Sequence, residues 1–119
     1  MDSDFLGSLE YATNVVGVKL ILVLGHTGCG AVKGAIDRVK LGNLTGLLAK
    51  IEPAVASAGP GTSKDSAYVT KVAERNVRLA MKQVRDGSPL IKELLDKGAV
   101  ALAGGMYDLA TGKVTLYAD

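Results

Sequence analysis

The sequence predicts an α/β domain in which a mostly parallel sheet, ending in an antiparallel edge hairpin, is flanked by helices. Three observations carry this. Lys19 to Leu24 is an almost unbroken apolar run that gives way to a glycine-rich turn and then to helical spacing. A second apolar run, Ala99 to Met106, is followed by a turn at Leu109-Ala-Thr-Gly112 and an alternating strand, Lys113 to Tyr117, so the last two strands read as a hairpin. Between the two runs the chain is mainly helical in pattern.

Taken in order, the chain opens with a helix. Asp4 is a candidate cap, and Phe5, Leu6, Leu9, Ala12, Val15 and Val16 recur at helical spacing up to Gly17. The run from Lys19 lacks alternation, which suits a strand covered on both faces, as in a parallel sheet. Gly25 to Gly30 makes the turn. Ala31 to Lys40 resumes a helical pattern through Val32, Ala35, Ile36 and Val39.

Asn43 is a candidate cap for a helix holding Leu44, Leu47, Leu48 and Ile51, which Pro53 bends or stops. Ala54 to Asp65, with Gly59-Pro60-Gly61, reads as a loop. Ser66 to Arg85 is the longest helix, with Val69, Val72, Ala73, Val77, Ala80, Met81 and Val84 on one face. Ser88-Pro89 is a cap followed by proline at the first helical position, opening a short helix to Lys97. There is no internal repeat and no low-complexity tract.

Composition bounds what these elements can do. The 119 residues suffice for one domain, 1–119. The apolar fraction is 48%, the charged fraction 22% and the net charge +2, a balance with no electrostatic bid for nucleic acid. One phenylalanine and four tyrosines leave the core to Leu, Val, Ile and Ala, and leave few platforms for stacking bases. A single cysteine forms no intramolecular disulfide, and no apolar run approaches the roughly 18 residues that cross a bilayer. The start, Met1-Asp-Ser-Asp4, is acidic where a secretory signal is basic. A cytoplasmic protein that partners neither membrane nor nucleic acid is the expectation.

Chemistry concentrates at Gly25-His26-Thr27-Gly28-Cys29-Gly30. His26 is the only histidine and Cys29 the only cysteine, and imidazole nitrogen with thiolate sulfur suits zinc. In open α/β sheets the functional crevice lies at the carboxyl ends of strands, where these two residues fall. With His26 at the strand end and Cys29 in the first helical turn, both side chains can reach one ion, and a helix start favours the thiolate. Two other readings stand beside this one. A lone His and a lone Cys are more often packed core residues, and Gly28, Gly30 and Ala31 at a helix start form a possible small-anion site. The glycine spacing matches neither the dinucleotide fingerprint nor the phosphate-binding loop, for which Lys33 is misplaced.

The residues Leu9-Glu10-Tyr11-Ala12 and Val18 through Gly25-His26-Thr27-Gly28-Cys29-Gly30-Ala31-Val32 resemble the β-class carbonic anhydrases. So do Asn76-Val77, Ser88-Pro89-Leu90-Ile91 and Gly105 through Val114, similar to that family's C-terminal part, notably in its bacterial branch. The resemblance implies a zinc lyase that hydrates carbon dioxide reversibly to bicarbonate through zinc-bound hydroxide, with His26 and Cys29 as two of three protein ligands. It also implies a truncated doubly wound sheet, because the family's first two strands, with their Cys-x-Asp-x-Arg, have no counterpart here. The third ligand and the Asp-Arg pair that orients the nucleophile are therefore not in this sequence, and no catalytic residue is assigned.

Asp2, Asp4 or a second chain are the candidate sources of further ligands. The alternative function is a catalytically silent relative that keeps the scaffold as an oligomeric or small-anion-binding module. The strand at Lys19 to Leu24 would have an open apolar edge, a hazard that has to be covered. A homodimer or higher homo-oligomer meeting there is the expectation.

Overall fold

A computed structural model describes residues 1–118. Helix α1 (Ser3–Glu10) runs on as a π-helical segment (Tyr11–Val16) to Gly17, and strand β1 spans Leu20–His26. Then come α2 (Gly30–Ile36), α3 (Gly42–Ala49), α4 (Glu52–Ala58), α5 (Ser66–Gly87), α6 (Pro89–Asp96), β2 (Ala101–Tyr107) and β3 (Val114–Ala118). The strand order is β1-β2-β3. The β1–β2 pair is parallel, with Leu20 opposite Ala101 and His26 opposite Tyr107, and β2–β3 is antiparallel, with Tyr107 opposite Val114. The α/β class, the parallel pair and the antiparallel edge strand are those the sequence predicts.

The sheet's inner face packs on α5. Val69, Val72, Ala73, Val77, Met81 and Val84 are all buried, and they recur at the spacing that puts one stripe along a helix. Ile21, Leu102 and Met106 meet them from the strands. Contact is close because Gly104 has no side chain: a Cβ there would lie 2.5 Å from Met81 Sδ, 2.9 Å from Tyr117 Cε2 and 3.0 Å from Val77 Cγ1. Tyr117 is itself held beneath Arg78, whose guanidinium carbon sits 4.4 Å from the ring centroid. Burial pushes the Tyr117 phenol pKa up, against the opposing pull of Arg78.

Several local expectations are corrected. The strand from Lys19 is not covered on both faces. Ile21 is 8% exposed, whereas Leu20, Leu22 and Leu24 are 53%, 44% and 46% exposed, so the apolar run has one buried and one open side. The first helix is capped by Asp2, which accepts from the Phe5 N–H at 2.9 Å, leaving Asp4 inside the first turn. That hydrogen bond also lowers the Asp2 pKa. The helix widens after Glu10, and the Gly17 N–H reaches back five residues to the Ala12 carbonyl.

Helix α2 stops at Ile36, short of Lys40. Arg38 takes a left-handed conformation (φ 57°), while the N–H groups of Arg38 and Val39 return to the Ala35 and Gly34 carbonyls in a helix-ending motif usually built on glycine. Asn43 is not a cap: α3 begins at Gly42, and Thr45 Oγ1 instead accepts the Leu41 N–H at 2.8 Å. Residues 54–58, read as loop, are helical in α4, because Pro53 lies in the first turn, where its missing N–H costs nothing. Ser88 caps α6 as expected, accepting from the Ile91 N–H.

Gly104→Ala is expected to cost about 1–3 kcal/mol, the range for overpacking a filled core. Gly46→Ala, in α3 with nothing within 4 Å of the added carbon, is expected to stabilise by about 0.5–1 kcal/mol. Urea unfolding followed by circular dichroism reads both, as opposite shifts of the midpoint at unchanged slope.

Candidate metal site

His26 is the last residue of β1, and Cys29 occupies the cap position that opens α2. The turn between them depends on Gly28, whose φ of 62° lies in the left-handed region that other residues enter at a cost. Both side chains are partly exposed and line the same small groove of about 180 Å³. Its walls are Val23 and Leu24 of β1, Val32 of α2, and Ala73, Asn76, Val77 and Ala80 of α5. The groove is thus mostly apolar along its walls, Asn76 excepted, with a nitrogen and a sulfur donor in its lining.

The imidazole has a defined orientation. His26 Nδ1 lies 2.9 Å from the Thr27 carbonyl oxygen. A carbonyl only accepts, so Nδ1 carries the proton and Nε2 keeps its lone pair for a metal. Thr27 is held in turn by the far end of the chain: its N–H donates to the Tyr107 carbonyl at 3.0 Å, and its Oγ1 accepts the Leu109 N–H at 3.0 Å. Gly25, one residue before His26, is pressed against α5 and β2. A Cβ there would stand 2.7 Å from Val77 Cγ2 and 2.8 Å from Met106 Sδ.

The donor set fits zinc as far as it goes, with one imidazole and one cysteine sulfur on a shared groove. Asp2 and Asp4 do not extend it, since no group of three His, Cys, Asp or Glu that could hold a metal occurs among the described residues. Gly28 and Gly30 are exposed at the turn, and Gly30 and Ala31 start α2. That helix has only seven residues and therefore little dipole to offer an anion. Asn76, noted in the sequence only as part of the resemblance and given no role there, also lines the groove. Its signal was a polar residue at the edge of the α5 apolar stripe, directly before Val77.

Comparison with known proteins places this arrangement. A family model described as carbonic anhydrase matches residues 1–114. Carbonic anhydrase 2 of Mycobacterium tuberculosis is 34% identical over 118 residues, which is 98% of this chain and 57% of the relative. The carbonic anhydrase of Mycolicibacterium smegmatis is 33% identical over the same length and shares of each chain. Among solved structures, one of two tetrameric β-carbonic anhydrases of Sordaria macrospora superposes with a TM-score of 0.83 at 24% identity, over 98% of this chain and 60% of that one. The β-carbonic anhydrase CafA of Aspergillus fumigatus gives 0.86 at 23% identity, over 98% and 56%. The chain therefore spans under two thirds of the length of each of these four relatives.

Gly25→Ala is expected to push the end of β1 away from α5 and so to move His26. The protein should lose about 1–3 kcal/mol of stability. The signals of its single imidazole should shift in the 1H–15N spectrum, whereas Gly46→Ala leaves them in place.

Proposed function

The chain belongs to the carbonic anhydrase family, in its β class, and on that premise we propose that it holds zinc through His26 and Cys29 and serves the reversible hydration of carbon dioxide to bicarbonate. One observation carries the reading. The two donors line one groove, with His26 Nδ1 already satisfied by the Thr27 carbonyl and Nε2 left for the ion. When bound, zinc supplies a nucleophile near neutral pH by lowering the pKa of water to about 7.

The chain's own residues set the stage for that chemistry. Gly28 allows the turn that brings an imidazole and a cysteine sulfur to one groove. Val23, Leu24, Val32, Val77 and Ala80 give the groove an apolar lining suited to an uncharged, apolar gas. Further ligands come, in this reading, from a segment lying along the unpaired edge of β1, beside the groove.

The open face of the sheet supports a homo-oligomer. Leu20, Leu22 and Leu24 share the open face of the sheet with Val114 and Leu116, and a contiguous apolar surface of this kind is normally covered. A symmetric pairing of two copies buries the patch on both. The structural relative from Sordaria is described as tetrameric. A second reading, a catalytically silent relative acting as an oligomeric scaffold or as an anion-binding module at Gly28, Gly30 and Ala31, draws on one observation, the lack of a third ligand among the described residues.

Metal analysis with stopped-flow carbon dioxide hydration separates the two. About one zinc per chain and catalysed hydration are expected, with zinc lost in Cys29→Ser. Protein without zinc, hydrating at the uncatalysed rate, overturns the enzymatic reading and leaves the silent one. Sedimentation is expected to find an oligomer that Leu22→Glu with Leu116→Glu converts to monomer, and a monomeric unmutated chain refutes the interface.

A further inference from the structure

All three polar groups of Thr27 are engaged, and two of them join the turn after β1 to a part of the chain some eighty residues away. The Leu109 N–H donates to its hydroxyl across a sequence separation of 82, and its own N–H donates to the Tyr107 carbonyl. The third group, the carbonyl, takes the proton of His26 Nδ1. The hairpin on which Thr27 is anchored is itself closed by hydrogen bonds. The Asp108 N–H donates to the Lys113 carbonyl and the Gly112 N–H to the Asp108 carbonyl, both at 2.8 Å, while Asp108 Oδ1 accepts the Ala110 N–H at 2.8 Å. Thr27 is therefore held at two points by a braced loop. The peptide plane before Thr27 and the position of its Cα are thus fixed from outside the turn, which leaves ψ of Thr27 as the torsion that aims its carbonyl.

We propose that Thr27 is the positioning residue for His26, its hydroxyl clamping the turn to the β2–β3 hairpin so that the carbonyl holds the imidazole as the Nδ1–H tautomer with Nε2 toward the metal. The inference rests on the zinc reading for its purpose but not for its geometry, which concerns the ring alone. Gly28 follows immediately, with a backbone conformation glycine enters freely, so the turn lacks stiffness of its own on that side. The threonine hydroxyl supplies what the glycine gives up. β-branching restricts χ1 and aims that hydroxyl. Groups of this kind, one step removed from the metal, typically account for ten- to hundredfold in metal affinity.

The test uses the single imidazole, whose two ring nitrogens are read without ambiguity in long-range 1H–15N spectra of metal-free protein at one fixed alkaline pH. The native chain should show the Nδ1–H tautomer. Thr27→Val, which keeps the shape and removes the acceptor, should give a mixture of tautomers and about tenfold weaker zinc binding by competition with a chelating dye. Thr27→Ser should restore both. Leu109 is exposed, so water can replace the lost partner, and backbone amide spectra verify that Thr27→Val still folds. Should it not fold, Thr27→Ala, which also lacks the acceptor and adds no metal ligand, is read in its place.

An Nε2–H tautomer in the native chain overturns the proposal, as does a variant without the hydroxyl that keeps the native tautomer and affinity. A native chain that shows the Nδ1–H form, loses it in Thr27→Val and takes up no zinc supports the clamp while refuting the zinc reading.

Discussion

Close approach of α5 to the parallel pair β1–β2 is the constraint on which the rest of the structure depends. It is possible because positions 25 and 104, on adjacent strands and the same face, carry no Cβ where Val77, Met81 and Met106 already fill the space. A core built mainly of aliphatic side chains has little else with which to register a helix on a sheet. Two glycines let the helix axis come near enough for valines and methionines to make full contact. The candidate metal site inherits that geometry directly, since His26 follows Gly25 and the groove beside it is walled by Ala73, Val77 and Ala80 of the same helix.

The price of a one-sided sheet appears on the other face. Side chains alternate along a strand, so each residue of β1 that packs on α5 sends its neighbour outward, and the outward set here is leucine. An apolar run with no alternation predicted a strand buried on two sides, and the structure covers only one. The outward leucines make the pattern the same as that of a strand packed on both faces, so the sequence alone does not distinguish the two cases.

Legibility followed the length scale of the signal. Helix α5 was readable because seven apolar positions repeat over some five turns, and the Ser88-Pro89 start of α6 because cap and proline act within three residues. Asp2 rather than Asp4 caps α1, since adjacent acidic residues offer two similar oxygens and only the backbone direction chooses between them. The π-helical widening at Tyr11 and the left-handed Arg38 carry no residue-type signature and depend on tertiary context. At the site, His26 and Cys29 stood out by residue type and by the motif around them, and the structure puts both in the lining of one groove. The hydrogen bonds from Tyr107 and Leu109 to Thr27 were not, because no local pattern reports a contact between residues 27 and 109.

The two donors also differ in how they are held, and this bears on what a third must do. His26 ends a strand whose ladder and ring hydrogen bond leave it little freedom, whereas Cys29 heads a helix of seven residues reached through a glycine. A tetrahedral ion held by one stiff and one adjustable ligand is located but not oriented, because the pair leaves rotation about the line between the donors open. Removing that freedom takes a third donor, and none stands beside the two among the described residues. Among those residues β1 is paired on its β2 side alone, and the groove is lined by β1, α2 and α5. A donor carried on a segment paired with the other edge of β1 would orient the ion and pair the backbone together, so the two requirements are best regarded as one structural problem.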